Sequence, residues 1–337
     1  MERRDFRLAG RIKSQPEDFV VEEVWRDFLC TTDRPWGTAP ADDPKDYLLF
    51  TLVKRNWDTV KALGYIADRL HISLKRFGIA GMKDKRALTA QRISAWRVKA
   101  EELMSLILPD IFLKDFSYSG DRINLGDAEG NRFTITIRDI PLSREAIATA
   151  LGSFEEYLRE NRVPNYFGPQ RIGRAGENVM VGRAMMEGRL DEAINILLEK
   201  VRPYMEQERI KEIPDIFWME KRMLMHLREK PGDYAGALRK IPKRILRIFP
   251  HAWQSQIFNE RLEQAISAGD VPESIDVEGF EMRKMPELKT YPIHRRSYID
   301  FSDFKVLGVD DGMANIRFVL GKGAYATVFL SYLVELR

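Results

Sequence analysis

A single carboxylate sits among cations in the stretch Gly78-Ile79-Ala80-Gly81-Met82-Lys83-Asp84-Lys85-Arg86-Ala87-Leu88-Thr89-Ala90-Gln91. Gly78 and Gly81 loosen the backbone ahead of Asp84, and Lys83, Lys85 and Arg86 crowd it with positive charge. Opposite charges within a few ångströms favour the ionised form of an acid. Asp84 is therefore expected to serve as an acceptor, a base or a nucleophile, and not as a proton donor. The same letters also suit a solvated hairpin tip, because Gly and Asp are turn formers. Only the surrounding chain separates the two readings.

A second chemically dense stretch is Val163-Pro164-Asn165-Tyr166-Phe167-Gly168-Pro169-Gln170-Arg171-Ile172-Gly173, rich in aromatic, amide and Arg groups. Bases stack on aromatic side chains, each such contact being worth about 1–3 kcal/mol, so the loop suits RNA. A packed corner is the alternative. Arg239, Lys240, Lys243, Arg244 and Arg247 form a basic run that either meets phosphates or is a solvated helix face.

The elements that must hold Asp84 follow from periodicity. Residues 10–24 read as a strand, a turn at Pro16 and a second strand. Residues 31–45 read as a Pro- and Gly-rich loop, and Tyr47 to Val53 as a strand. Val60, Leu63, Ile66, Ala67 and Leu70 keep helical spacing, which predicts a helix over 59–71 capped by Asp58 or Thr59. Strands over about 76–81 and 88–96 place Asp84 in the connection between them, beside that helix. A helix and strand follow over 100–117. Ile123–Leu125 and Phe133–Ile137 frame a Gly-bounded turn at 126–131, and Pro141–Glu160 reads as a helix. From about 172 to 290 helical patterns dominate, over 178–188, 190–200 and 251–268, with Met219, Met223 and Met225 read as core filling. The final segment returns to strands at 304–307, 314–320 and 324–330, with Gly321-Lys322-Gly323 as a hairpin turn.

Composition limits the chemistry. The 337 residues fit one large or two medium domains. No uncharged apolar run approaches the roughly 18 residues that span a bilayer, and Met1-Glu2-Arg3-Arg4-Asp5 lacks the apolar stretch of a signal peptide. Cys30 is the single cysteine, and His71, His226, His251 and His294 are too scattered to suggest a metal site. A metal or redox enzyme is disfavoured, and a reducing cytoplasm is the expected location. With 54 basic and 51 acidic residues, any nucleic-acid surface must come from local clustering.

Taken in order, these words resemble the TruD family of tRNA pseudouridine synthases. The resemblance rests on Ile12-Lys13, Pro16-Glu17-Asp18-Phe19-Val20-Val21-Glu22, Gly81-Met82-Lys83-Asp84-Lys85 with Ala87, Thr89 and Gln91, and Gly130-Asn131-Arg132-Phe133-Thr134. It continues through the Val163–Gly173 loop, Ser255-Gln256-Ile257-Phe258-Asn259 and Gly323-Ala324-Tyr325-Ala326-Thr327. Ile172 stands where the bacterial pattern usually has Phe, and Arg86 where His is common. The resemblance implies isomerisation of a tRNA uridine to pseudouridine, with the family's usual target at position thirteen of the D-arm. It needs no metal or other cofactor, and Asp84 is the implied catalytic aspartate, as nucleophile or base. It further implies that Phe133 packs on the flipped uracil, that Asn131 orients the loop or the aspartate, and that Lys13 either holds Asp84 ionised or touches phosphate. Phe19, Lys83, Gln91 and Arg171 would support them. The implied fold is α+β: a mixed, largely antiparallel sheet with flanking helices, built from 1–171 and 291–337, with a helix-rich TRUD insertion over 172–290. A monomer with tRNA as its partner, and with no obligate protein partner, is the expected state. The competing class is a non-catalytic RNA-binding protein.

Overall fold

The computed structural model describes residues 6–33, 38–40, 43–207 and 209–336. The opening 1–5, and positions 34–37 and 41–42 of the expected loop, lie outside the described residues. The chain forms two compact units, one from Met1–Val163 with Ile299–Arg337, the other from Pro164–Tyr298. These divisions fall outside the expected 172 and 290, because Pro164 and Asn165 already pair with Tyr298 and Ser297 within the second unit.

In chain order the first unit begins with β1 (Leu8–Gly10), β2 (Phe19–Trp25), β3 (Phe28–Leu29), β4 (Tyr47–Arg55), helix α1 (Thr59–Arg69), β5 (Phe77–Ile79), β6 (Leu88–Trp96), α2 (Ala100–Met104), β7 (Ile111–Ser119), β8 (Gly130–Ile137) and α3 (Arg144–Glu160). The second unit supplies α4 (Pro169–Ile172), α5 (Glu177–Met186), α6 (Leu190–Leu198), α7 (Arg202–Glu206), α8 (Trp218–Glu229), α9 (Tyr234–Leu238), α10 (Lys243–Leu246), α11 (Ile248–Ala268), β9 (Ser274–Val277) and β10 (Ile293–Arg296). The chain then returns to the first unit as β11 (Phe301–Asp310), β12 (Met313–Gly321), α12 (Ala326–Leu330) and β13 (Val334–Leu336).

The fold is α+β. Among the described residues, a nine-stranded sheet runs β11-β12-β8-β2-β6-β4-β7, with β3 on β2 and β5 on β6. Only the β2–β6 contact within it is parallel. Side chains alternate across a strand, and paired residues share a face. Leu48, Phe50 and Leu52 of β4 face the same way as Ala95 and Ile93 of β6, and α1 covers them with Ala62, Leu63, Ile66 and Ala67. Helix α1 starts where Asp58 accepts from the Val60 and Lys61 amides, as its spacing predicts. Further along the same face the inward positions turn polar: Lys54, Thr89 and Gln91 are each fully buried. Val21 and Glu23 of β2, opposite Phe133 and Asn131 of β8, continue that polar end.

Three expectations need correction. Residues 326–330 form helix α12 rather than a strand, and Gly321-Lys322-Gly323 is no hairpin turn. Strand β12 is already paired on both sides, by β8 and β11, so no edge remains for a returning strand. Gly130 and Asn131 belong to β8 and not to the preceding turn, because they pair with Gly321 and Leu320. Ile123–Leu125 is loop, its Ile123 amide donating to Ser94 Oγ instead of a strand.

The second unit has its own core, in which Val181, Ala184, Ile194, Leu198, Met223, Leu238 and Phe249 are buried together. Met223 fills this core and Met219 packs against it, while Met225 is exposed. No helix among the described residues is long and apolar enough to cross a membrane.

Candidate active site

Asp84 lies in irregular backbone between β5 and β6. Side chains, rather than a ladder, fix this segment. Gln91 Nε2 donates to Gly81 O at 3.0 Å, and Gln91 Oε1 accepts from Thr59 Oγ1 at 3.0 Å. Thr59 Oγ1 in turn accepts from the Lys83 amide at 3.2 Å. Lys54 Nζ donates to Asp84 O at 2.9 Å and to Trp57 O at 2.7 Å. The buried polar end of the sheet face thus holds Gly81, Lys83 and Asp84 by their main-chain atoms.

The Asp84 carboxylate projects to a half-open position, its side chain 41% exposed. Lys13 Nζ donates to its Oδ2 at 2.8 Å and lies 3.8 Å from the centroid of the Phe19 ring. Lys13 has φ +60°, a conformation that side-chain-bearing residues seldom adopt. Its backbone is bent to bring one ammonium onto both an anion and a ring face. Phe19 meets Phe133 edge-on at 6.0 Å, and Phe133 stacks on Phe318 at 5.4 Å. Phe133 is 7% exposed, so its ring is chiefly core and leaves little of itself open to a ligand.

The cations beside Asp84 in sequence are not those beside it in space. Lys83 Nζ turns away to Glu23 Oε1 at 2.6 Å, both side chains being closed to solvent. Arg86 donates to Ser14 O, and Lys85 is exposed. Charge pattern placed all three around the carboxylate, but a residue's neighbours along an irregular segment diverge, and a distant lysine takes their place. Asn131 stands across the strand pair from Glu23, and its Oδ1 is buried with no hydrogen-bond partner. A buried acceptor left unpaired costs about 1–3 kcal/mol, so it is suited to receive a donor from a bound molecule.

Arg171 belongs to the second unit, at the end of α4. Its guanidinium lies 5.8 Å from the Phe167 ring, and burial, then the Arg171 charge, holds His251 below the ordinary imidazole range. Phe167 is buried against Phe258 and under Arg295, and the Tyr166 hydroxyl reaches Glu263. This stretch is a packed corner in its own unit.

Glu23 and Lys54 escaped the sequence reading, and Thr59 entered it only as a candidate helix cap. Lys54 carried a signal: it continues the inward alternation of Leu48, Phe50 and Leu52, and a lysine at that parity must be buried. Burial pulls its ammonium down to about 8, against the opposing pull of the Asp58 and Asp84 carboxylates.

The chain is 36% identical to a Methanosarcina acetivorans protein named probable tRNA pseudouridine synthase D, over 78% of this chain and 61% of that one. It is 30% identical to a Methanocaldococcus jannaschii protein, probable tRNA pseudouridine synthase D 1, over 98% of this chain and 97% of that one. The chain therefore spans less than two thirds of the Methanosarcina relative and nearly all of the other. The crystal structure of a Methanosarcina mazei protein carrying the TruD name superposes with a TM-score of 0.73 at 27% identity, covering 96% of this chain and 93% of that one. The family described as tRNA pseudouridine synthase D (TruD) matches residues 5–273, and the chain belongs to that family.

Proposed function

We propose that this protein isomerises a uridine of tRNA to pseudouridine, at position thirteen of the D-arm, with Asp84 as the essential group. The observation that carries the reading is the Asp84 carboxylate itself. It is half-open to solvent, on a segment pinned by Gln91, Thr59 and Lys54, with Lys13 on one oxygen. The reaction breaks the C1′–N1 bond, turns the uracil and forms C1′–C5, while C5 loses a proton and N1 gains one, so no external reagent is consumed. A carboxylate serves this chemistry by attacking the sugar or the uracil, or by taking a proton from the ribose. The target base must first leave its stack, at a cost of a few kcal/mol. Phe133 and the unpaired Asn131 Oδ1 are suited to meet it, the latter by accepting from the uracil N3–H. Residues of this chain supply every group in the scheme, which calls for no cofactor. The protein acts as a cytoplasmic monomer on tRNA.

The test is pseudouridine mapping on an unmodified tRNA transcript. Wild-type protein converts the D-arm uridine; Asp84→Asn converts none and still binds tRNA. Full conversion by Asp84→Asn removes the aspartate from the scheme, and no conversion by wild type removes the activity.

A further inference from the structure

Lysine is almost never fully buried without a partner. Lys54 is 0% exposed and, among the described residues, has no carboxylate within ion-pair distance; its ammonium ends on two main-chain carbonyls, Trp57 O and Asp84 O. Two neutral acceptors are a poor exchange for the water that an ammonium gives up. An apolar side chain at a buried charged position is often as stable or more so. What an apolar residue cannot supply is a fixed positive charge behind Asp84 and a tether between that residue's own peptide and the start of α1.

We propose that Lys54 is a positioning residue for Asp84: its buried ammonium fixes the aspartate's main chain and provides a cation that substrate cannot displace. The proposal rests on Asp84 being the reacting group. Lys13 and Lys54 then divide the work. Lys13 is 20% exposed and holds the carboxylate itself, where an incoming ribose or phosphate can take its place. Lys54 holds the peptide from inside the sheet face and stays put through the reaction. The charged groups around Lys54 are Asp58 and Asp84, which favour its protonated form, and Lys83, which opposes it. Neutralised Lys54 keeps two N–H donors for the two carbonyls, so deprotonation removes the charge while sparing the tether. That separates the electrostatic contribution from the structural one.

The experiment measures single-turnover pseudouridine formation from pH 6 to 9.5, with tRNA affinity in parallel, for wild type and Lys54→Met. We expect Lys54→Met to bind tRNA within about twofold of wild type and to react about 100-fold more slowly, the size of effect that an ångström of misplacement produces. Wild type should lose rate above about pH 8, where Lys54 discharges, and Lys54→Met should lack that step. A wild-type rate in Lys54→Met, or the same pH step in both proteins, overturns the proposal. A second measurement needs neither turnover nor a folded Lys54 variant: the Lys54 side-chain titration followed by NMR in wild type and Asp84→Asn. The midpoint should fall when the Asp84 charge is removed, and an unmoved midpoint overturns the proposal. Should wild type make no pseudouridine at all, the functional reading fails and this titration still decides whether Lys54 and Asp84 are coupled.

Discussion

Glu23 and Lys83 meet at 2.6 Å with their side chains 0% and 7% exposed, one residue away from the aspartate that sequence would have had Lys83 serve. Glu23 also accepts from the Arg92 amide at 2.9 Å and from Trp25 Nε1 at 3.1 Å. The ion pair therefore fastens the Asp84 segment to β2 and β6 together. Removing one member of a buried pair strands the other charge, at a cost of about 3–5 kcal/mol. Glu23→Gln should lower the unfolding free energy by that order in urea titration. A loss under 1 kcal/mol would show that Lys83 finds another partner.

Lys13 separates strain from charge. With φ +60° it occupies a backbone conformation that glycine adopts without penalty. Lys13→Gly loses the Asp84 bond and the strain together, so its unfolding temperature should change little, while its single-turnover rate falls about tenfold. Charge-assisted hydrogen bonds contribute about 1.5–3 kcal/mol, and the open side of the carboxylate screens part of that. An unchanged rate in Lys13→Gly would free Asp84 of any dependence on this ammonium.

The Lys54 ionisation should also be visible in stability. Its folded-state value of about 8 lies below the 10.5 of an unperturbed lysine, so the unfolded chain holds the proton more tightly. The burial penalty is therefore full below pH 8 and is relieved as pH rises from 8 through 10.5. The stability difference between wild type and Lys54→Met, followed by denaturation across that window, should shift in favour of wild type. A flat difference would mean that Lys54 holds its proton as tightly in the fold as in the unfolded chain.

Cys30 is fully buried, and burial, reinforced by the charge of Glu23, pushes its thiol up to about 12. A thiol that is neutral and closed to solvent is a poor nucleophile. Native protein should give no colour with a thiol reagent at pH 8 and one equivalent after unfolding. Rapid reaction without unfolding would show that β2–β3 opens readily.

Much of this arrangement was legible in the letters. Period-two runs gave β4 and β6, 3.6-residue spacing gave α1, and both together put Asp84 in the connection beside that helix. Asp58 or Thr59, ahead of an apolar repeat, marked the helix start, and Asp58 is the residue that caps it. What remained hidden was long-range. Lys13 reaches Asp84 across 71 positions and Lys83 reaches Glu23 across 60, separations that no local pattern encodes. The strand misread at 326–330 has the same origin: an apolar run of that length serves a buried strand or a buried helix, and the full pairing of β12 decides which.

The sheet that carries Asp84 is finished by residues made long after it. Strand β8 pairs with β12 over Ala314↔Ile137 to Gly321↔Gly130, and Phe318 closes over Phe133. Between them the ribosome must first produce all of Pro164–Tyr298. At about 5–20 residues per second, the nascent chain leaves β8 as a bare edge for tens of seconds, a template for unwanted pairing. The aromatic contact between β8 and β12 is thus sealed late in synthesis. Nascent chains halted within the second unit should carry the complete Asp84 segment, lack activity, and depend on chaperones to stay apart.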